Sequence, residues 1–379
     1  MPWWRWALAG ALVGFVHVAA AAPVKHPPRI PSWILIDASS GAVLDEHDAD
    51  AAHTSGDFNQ LMVLLLTLEQ AQLNMMPLAA PVTVSAAAAH PAPWATTIPL
   101  RADQVYELSD LLKAVALSTA DDAAIAVAEA IGGSLDGCVE LMNARAQRLG
   151  LEATQYAAVG SLVGNRIGPS IEHTSARDLA KLTAALVRHP EMLAWSSLAG
   201  VPFAGGVILR NANQLVGGVL GVDGLQVAVS RDANGAIHGY DIIATAQRGA
   251  LRLIAVVLGA ADNPGRYAKA AELVEWGFAN YDAVEVLTAG DRLAVSVDVP
   301  NGAVKQIQPI VGETVAFLRR HNMPVDVTYR LQLPALVAAP LTRHQVIGEV
   351  VVERDDRVIS AVPLLSPKDV KATGRFSGF

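Results

Sequence analysis

The stretch that most limits what this chain can fold into is a polar turn, His53-Thr54-Ser55-Gly56-Asp57-Phe58-Asn59-Gln60, running straight into Leu61-Met62-Val63-Leu64-Leu65-Leu66. The segment from about Phe58 to Leu73 is apolar on nearly every side, so as a helix it has no face that suits water. Such a helix must be wrapped by other elements, which requires a layered domain with a large core. With 379 residues, 52% of them hydrophobic, the chain has the material to build one. The turn ahead of the helix presents free backbone N–H groups and the positive end of the helix dipole. That is a natural place for a nucleophile or an anion.

The N-terminus reads as a targeting segment. Met1-Pro2-Trp3-Trp4-Arg5-Trp6 carries one positive charge, an Ala/Val/Gly-rich apolar run follows, and Ala20-Ala21-Ala22 offers small residues for cleavage. Residues 1–22 are therefore expected to be a signal peptide and the mature protein to be exported to the periplasm. The apolar run is shorter than the ~20 residues a membrane-spanning helix needs. Net charge is −8 and no Lys/Arg run occurs, which argues against a nucleic-acid partner. Cys138 is the lone cysteine, so neither a disulfide framework nor a cysteine metal site is expected; it reads as a small buried hydrophobe. No metal or other cofactor is indicated.

The rest of the chain falls into two textures. Trp33–Asp37 and Ala42–Glu46 read as a hairpin around Ser39-Ser40-Gly41. Pro77–Leu100 is a long connection. Helices are expected over 105–116 (opened near Ser109-Asp110), 121–131, 135–149 and 175–188, the last with Ser175 as N-cap. An irregular loop covers 152–171. Strands are expected over 218–230, 240–247 and 251–259, then a helix over 266–281. After Asp282 short alternating runs dominate: 293–297, 304–310, 314–318, 325–333 and 346–365, the last folded at Asp355-Asp356. Two units follow, one over 30–282 and an all-β module over 286–365. The tail from Ser366 is short and glycine-containing, and offers no amphipathic helix to lie on a membrane.

Several stretches in this order resemble the D-alanyl-D-alanine carboxypeptidases, the low-molecular-mass penicillin-binding proteins. They are Ile34-Leu35-Ile36-Asp37-Ala38-Ser39-Ser40-Gly41, Leu141-Met142-Asn143 through Leu149-Gly150-Leu151, Thr174-Ser175-Ala176-Arg177-Asp178, Val222-Asp223-Gly224 and Glu275-Trp276-Gly277-Phe278. The resemblance implies an α/β (α+β) fold: a β-lactamase/transpeptidase-like domain of an antiparallel sheet with helices on both sides, plus a small C-terminal β domain. It also implies a serine-type hydrolase acting on peptidoglycan through three motifs. Ser-x-x-Lys pairs a nucleophile with a lysine base on adjacent helical turns. Ser-x-Asn adds a hydroxyl and an amide. Lys-Thr-Gly on a strand holds the substrate carboxylate.

This chain departs at all three. Asp57 and Gln60 stand at the serine and lysine positions of the first motif, Thr119-Ala120-Asp121 replaces the second, and Gln226-Val227-Ala228 replaces the third. No lysine in the chain has a serine three residues before it, and none is followed by Thr-Gly, so a shift of register restores nothing. If Asp57 and Asp121 are ionised, the changes make the pocket four charges more negative. One uncompensated carboxylate at ~5 Å repels a substrate carboxylate by about 3 kcal/mol at an effective dielectric of ~20.

The expectation is thus a pseudoenzyme that binds peptidoglycan stem peptides or contacts cell-wall enzymes. The alternatives are an active but atypical D-Ala-D-Ala carboxypeptidase and a hydrolase built on an Asp57–Asp121 acid pair. Asp57-x-x-Gln60 itself reads as a capping box, carboxylate to the N3 N–H and amide back to the cap. Ser55 could replace the nucleophile only with a base, and none lies near it in sequence. The strand at Gln226 could still take an extended peptide through main-chain hydrogen bonds.

Overall fold

The computed structural model describes residues 31–373 apart from 92, 94, 161–171, 219, 232–236, 325 and 355–356. The signal-peptide segment, part of the loop over 152–171 and the turn after Arg231 lie outside the described residues. Eight helices are found among those described. They are α1 (Asn59–Gln72), α2 (Ala86–Ala89), α3 (Leu108–Ser118), α4 (Asp121–Gly132), α5 (Leu135–Leu149), α6 (Ala176–Leu186), α7 (Pro190–Ser196) and α8 (Asn263–Asn280).

The main sheet is antiparallel. Its strands are β1 (Ser32–Asp37), β2 (Val43–His47), β3 (Val222–Gly224), β4 (Val227–Arg231), β5 (Ile237–Arg248) and β6 (Leu251–Ala260). The order runs β2-β1-β6-β5, with β3 and β4 both pairing β5. Successive side chains point to opposite faces of a strand, and each face carries its own core. Ile34, Ile36, Ile254 and Val256 join the helical core built on Leu61–Leu66, Leu111, Leu112 and Leu182. Leu35, Leu253, Ala255 and Val257 pack instead on Ala270, Leu273, Val274 and Phe278 of α8. This is the sheet with helices on both sides that the resemblance implied.

The helix α1 answers the opening constraint directly. Every residue from Asn59 to Leu68 is buried, and Leu61 through Leu65 are 0% exposed. Fully burying a leucine is worth about 1.5–3 kcal/mol, so this helix anchors the core. Cys138 is also fully buried, and burial pushes its thiol up to about 12.

Some boundaries differ from the sequence reading. Residues 105–107 form a short strand paired with Pro81–Thr83, and α3 begins only at Leu108. The long connection supplies the partner strand, so pairing overrides the helical periodicity there. Residues 293–296 make no strand, because Leu293 bonds to Pro309 through its N–H without a continuing ladder. The C-terminal unit is four-stranded at its largest sheet, in the order Ile310–Val311, Arg357–Leu365, Val346–Arg354, Thr328–Gln332. Two small apolar clusters, one around Val299 and Leu341 and one around Val350 and Val362, hold it together.

Candidate functional site

Four segments meet at the start of α1. The chain enters it through a single 3-10 turn, Gly56–Phe58, which sits against β4. Gly56 has φ +51, and a Cβ there would lie 3.3 Å from the Val229 carbonyl oxygen, so the approach needs glycine. Behind it, Thr119 occupies the corner between α3 and α4 in the left-handed region, at φ 51. Asp121 opens α4, and Gln226 precedes β4.

The amide half of the expected capping box is not formed. Neither Ser55 nor Phe58, the residues ahead of the 3-10 turn and of α1, makes a side-chain cap. Asp57 lies inside the 3-10 turn rather than at the cap position. Gln60, 0% exposed, turns its amide away from the helix start: Nε2 donates to Asp121 Oδ1 at 2.8 Å and to the Thr119 carbonyl at 3.3 Å. A buried amide needs a partner, and Asp121 is the stronger acceptor because it is a carboxylate.

Asp121 is held from a second side. Thr96 N–H donates to Oδ2 at 3.0 Å, and Asp121 N–H returns a bond to the Thr96 carbonyl at 2.7 Å. Its neighbour Asp122 accepts from Ile98 and Leu100 N–H, and burial raises its pKa. The two acids thereby fasten residues 96–100 onto α4. Asn59 does the same for the loop after α5, exchanging bonds with Gly160 in both directions at 3.0 Å. Gly160 (φ +74) lies so near Asp121 that a Cβ would stand 2.5 Å from Oδ1.

On the sheet side, Gln226 Nε2 donates to the Val115 carbonyl at 2.5 Å, and that same carbonyl accepts from Thr119 N–H. Thr119 thus stands between the Gln60 and Gln226 amides, while its own hydroxyl donates to the Ser118 carbonyl at 2.7 Å. The side-chain oxygens of Gln60 and Gln226 are buried without a partner among the described residues. Val227 and Ala228 are buried and pair with Ile242 and Asp241 of β5. The structure therefore brings Gln60, Thr119, Asp121 and Gln226 into one connected cluster. Asp121 is thereby bonded to both Gln60 and Thr96. Among the described residues no group of three or more His, Cys, Asp or Glu side chains could hold a metal ion.

One contact escaped the sequence reading. Ser55 Oγ donates to Oε1 of Glu172, a residue 117 positions later. Both side chains are buried, and burial pushes the Glu172 carboxyl up to about 7. The signal was present in part: Glu172 adjoins the recognised Thr174-Ser175-Ala176 stretch, and the bridge His53–Thr174 aligns the two segments. Sequence distance alone gave no reason to join them.

The chain matches the family model described as D-alanyl-D-alanine carboxypeptidase over residues 20–262. The model described as penicillin-binding protein 5, C-terminal domain, matches residues 281–372. The D-alanyl-D-alanine carboxypeptidase DacC of Escherichia coli (strain K12) is 30% identical, over 97% of this chain and 92% of its own length. DacF of Bacillus subtilis (strain 168), of the same description, is 25% identical over 90% of this chain and 86% of its own. Penicillin binding protein 5 of Haemophilus influenzae superimposes with a TM-score of 0.66 at 26% identity, covering 91% of this chain and 99% of the other.

Proposed function

The chain belongs to the D-alanyl-D-alanine carboxypeptidase family, and from that premise we propose that it is an exported cell-envelope pseudoenzyme. It binds peptidoglycan stem peptides or contacts cell-wall enzymes without cleaving an acyl bond. The observation that carries this reading is the Gln60 amide held between Asp121 and the Thr119 carbonyl. An amide has no basic nitrogen and cannot take a proton from a nucleophile. A lysine at that place could; Gln60 instead locks two elements together. Gln226 likewise supplies a neutral amide to Val115 rather than a cation to a substrate carboxylate. Export to the periplasm rests on the character of residues 1–22.

The test is covalent labelling of the purified protein with a fluorescent penicillin. The expected result is no adduct, together with retention of the protein on peptidoglycan or on a cell-wall enzyme. A stoichiometric acyl adduct overturns the reading. If that adduct vanishes in Ser55→Ala and in Glu172→Gln, the reaction belongs to the Ser55–Glu172 pair, and the protein is an active, atypical carboxypeptidase.

A further inference from the structure

A groove of about 300 Å³ lies between β2 and α6, lined by parts of both and of the neighbouring β1 and α5. Its floor is aliphatic, from Ile36, Val43, Leu149 and Ala184. Val43 is 43% exposed, a branched apolar side chain left open to solvent. Arg177, Lys181 and Arg188 line the groove from the side of α6. Positions 177 and 181 are one helical turn apart, and so share a face, with Arg188 just past the helix end.

The cations are engaged to different degrees. Arg177 is clamped by Asp50 at 2.7 Å and Glu46 at 2.5 Å. Lys181 donates to the Gly150 carbonyl at 2.6 Å, with Asp178 at 3.6 Å. Arg188 is exposed and has no acidic partner among the described residues. Positive charge is therefore available towards the Lys181–Arg188 end. The chain as a whole carries −8, so its general field repels an anion and only these local cations can hold one.

The other side is the α6-facing surface of β1 and β2, bordered by the outer edge of β2. β2 pairs with β1 alone, and no strand among the described residues covers its outer side. An edge strand offers a row of main-chain N–H and C=O groups to an incoming strand. The two walls match in length. β2, Val43–His47, spans about 13 Å at ~3.3 Å per residue. Arg177 to Leu186 spans about 14 Å at ~1.5 Å per residue, with Arg188 just beyond.

We propose that this groove takes an extended acidic segment of a partner protein, about six residues long, added as a further strand on β2. Acidic side chains at alternate positions fall on the α6 side, against Lys181 and Arg188, while main-chain bonds to β2 set the register. An acyl-chain anion could use the apolar floor and the cations but gains nothing from the strand edge, so the edge favours a peptide. The basic lead-in around Lys25, His26 and Arg29 has the wrong charge to be the occupant. This surface is separate from the Gln60–Asp121 cluster and does not depend on whether that cluster is active.

The test uses the full chain with two fluorescein-labelled probes, Glu-Val-Glu-Val-Glu-Val-amide and its Lys-Val-Lys-Val-Lys-Val counterpart. Fluorescence anisotropy is expected to show binding of the acidic probe alone, weakened at least about tenfold in Arg188→Glu and further in Lys181→Glu/Arg188→Glu. Arg188 reaches solvent, so its change should leave the fold intact, and thermal unfolding of the double variant checks the change at Lys181 beside Asp178. Hydrogen exchange is expected to slow at the amides of Val43–His47 when the acidic probe is bound. Equal binding of the two probes, binding unchanged in Arg188→Glu, or binding without protection of β2 would each overturn the proposal. So would capture of decanoate by the groove with no binding of the acidic probe.

Discussion

Two polar turns in this chain lead into buried helices, and they use their side chains in opposite ways. At the start of α6, Ser175 Oγ accepts from Asp178 N–H at 3.2 Å, and Asp178 accepts from Ala153 N–H and Thr154 Oγ at 2.8 Å each. The polar groups there serve the helix end and the one loop beside it. At the start of α1 there is no side-chain cap, and Asn59, Gln60 and Ser55 reach to Gly160, Asp121 and Glu172. The first turn stabilises a helix. The second ties α1 to α4, to the loop after α5 and to the segment leading into α6, and so functions as a junction.

Three measurements break or sharpen that contrast. The largest effect is expected at Asp178, which is 2% exposed. Asp178→Ala removes two hydrogen bonds to a buried carboxylate, from the half-buried Ala153 and Thr154, at about 1.5–3 kcal/mol each, so urea unfolding should show a loss of about 4 kcal/mol. A loss under about 1 kcal/mol would mean that water replaces the carboxylate and that this turn is not the rigid one.

Next comes the pH dependence contributed by Glu172, whose carboxyl moves from an ordinary 4.5 to about 7 on burial. The folded value is raised, so its stabilising contribution is complete below about 4.5. It is lost as pH rises through about 7, because the unfolded chain ionises first. The shift corresponds to about 3 kcal/mol. Glu172→Gln should flatten that part of the stability profile measured between pH of about 4.5 and about 7.5. Asp241, raised to about 6 by burial, slopes the same way at lower pH and should remain. An unchanged profile in Glu172→Gln would show that the Ser55–Glu172 contact is solvated rather than buried.

The smallest effect separates the caps themselves. Ser175→Ala should cost about 1 kcal/mol, the usual loss for a serine N-cap. Asp57→Ala should cost less, because Asp57 sits within the 3-10 turn and not at the N-cap position of either helix start. Equal losses by thermal unfolding would restore the capping box to α1.

Much of the fold was legible in local pattern. The apolar run Leu61–Leu66 required a wrapped helix, and the alternation in β1 and β6 divided their side chains between two cores. Ser134 and Ser175 cap their helices, and Gly150 stops α5 in the left-handed region, as their residue types suggest. The site was legible as a set of substitutions. Gln60, Thr119, Asp121 and Gln226 do meet, but the partner each one takes was not readable. An Asp-x-x-Gln spacing is equally compatible with a local cap and with a long-range bond. Burial decided for the latter, since a 0% exposed amide must find an acceptor and Asp121 stands 2.8 Å away.

The sequence by itself determined that no Ser-x-x-Lys and no Lys-Thr-Gly exists in the chain, whatever the fold. It also determined that α1 must be enclosed, because its residue types leave it no polar face. Only the tertiary structure decided what the altered turn does. Hydrogen bonds between Gln60 and Asp121, Asn59 and Gly160, and Ser55 and Glu172 span 61 to 117 positions. Contacts of that range are set by how helices and sheet pack, and no local spacing encodes them. The same packing sets α6 beside the open edge of β2, and so makes a basic groove on an acidic protein.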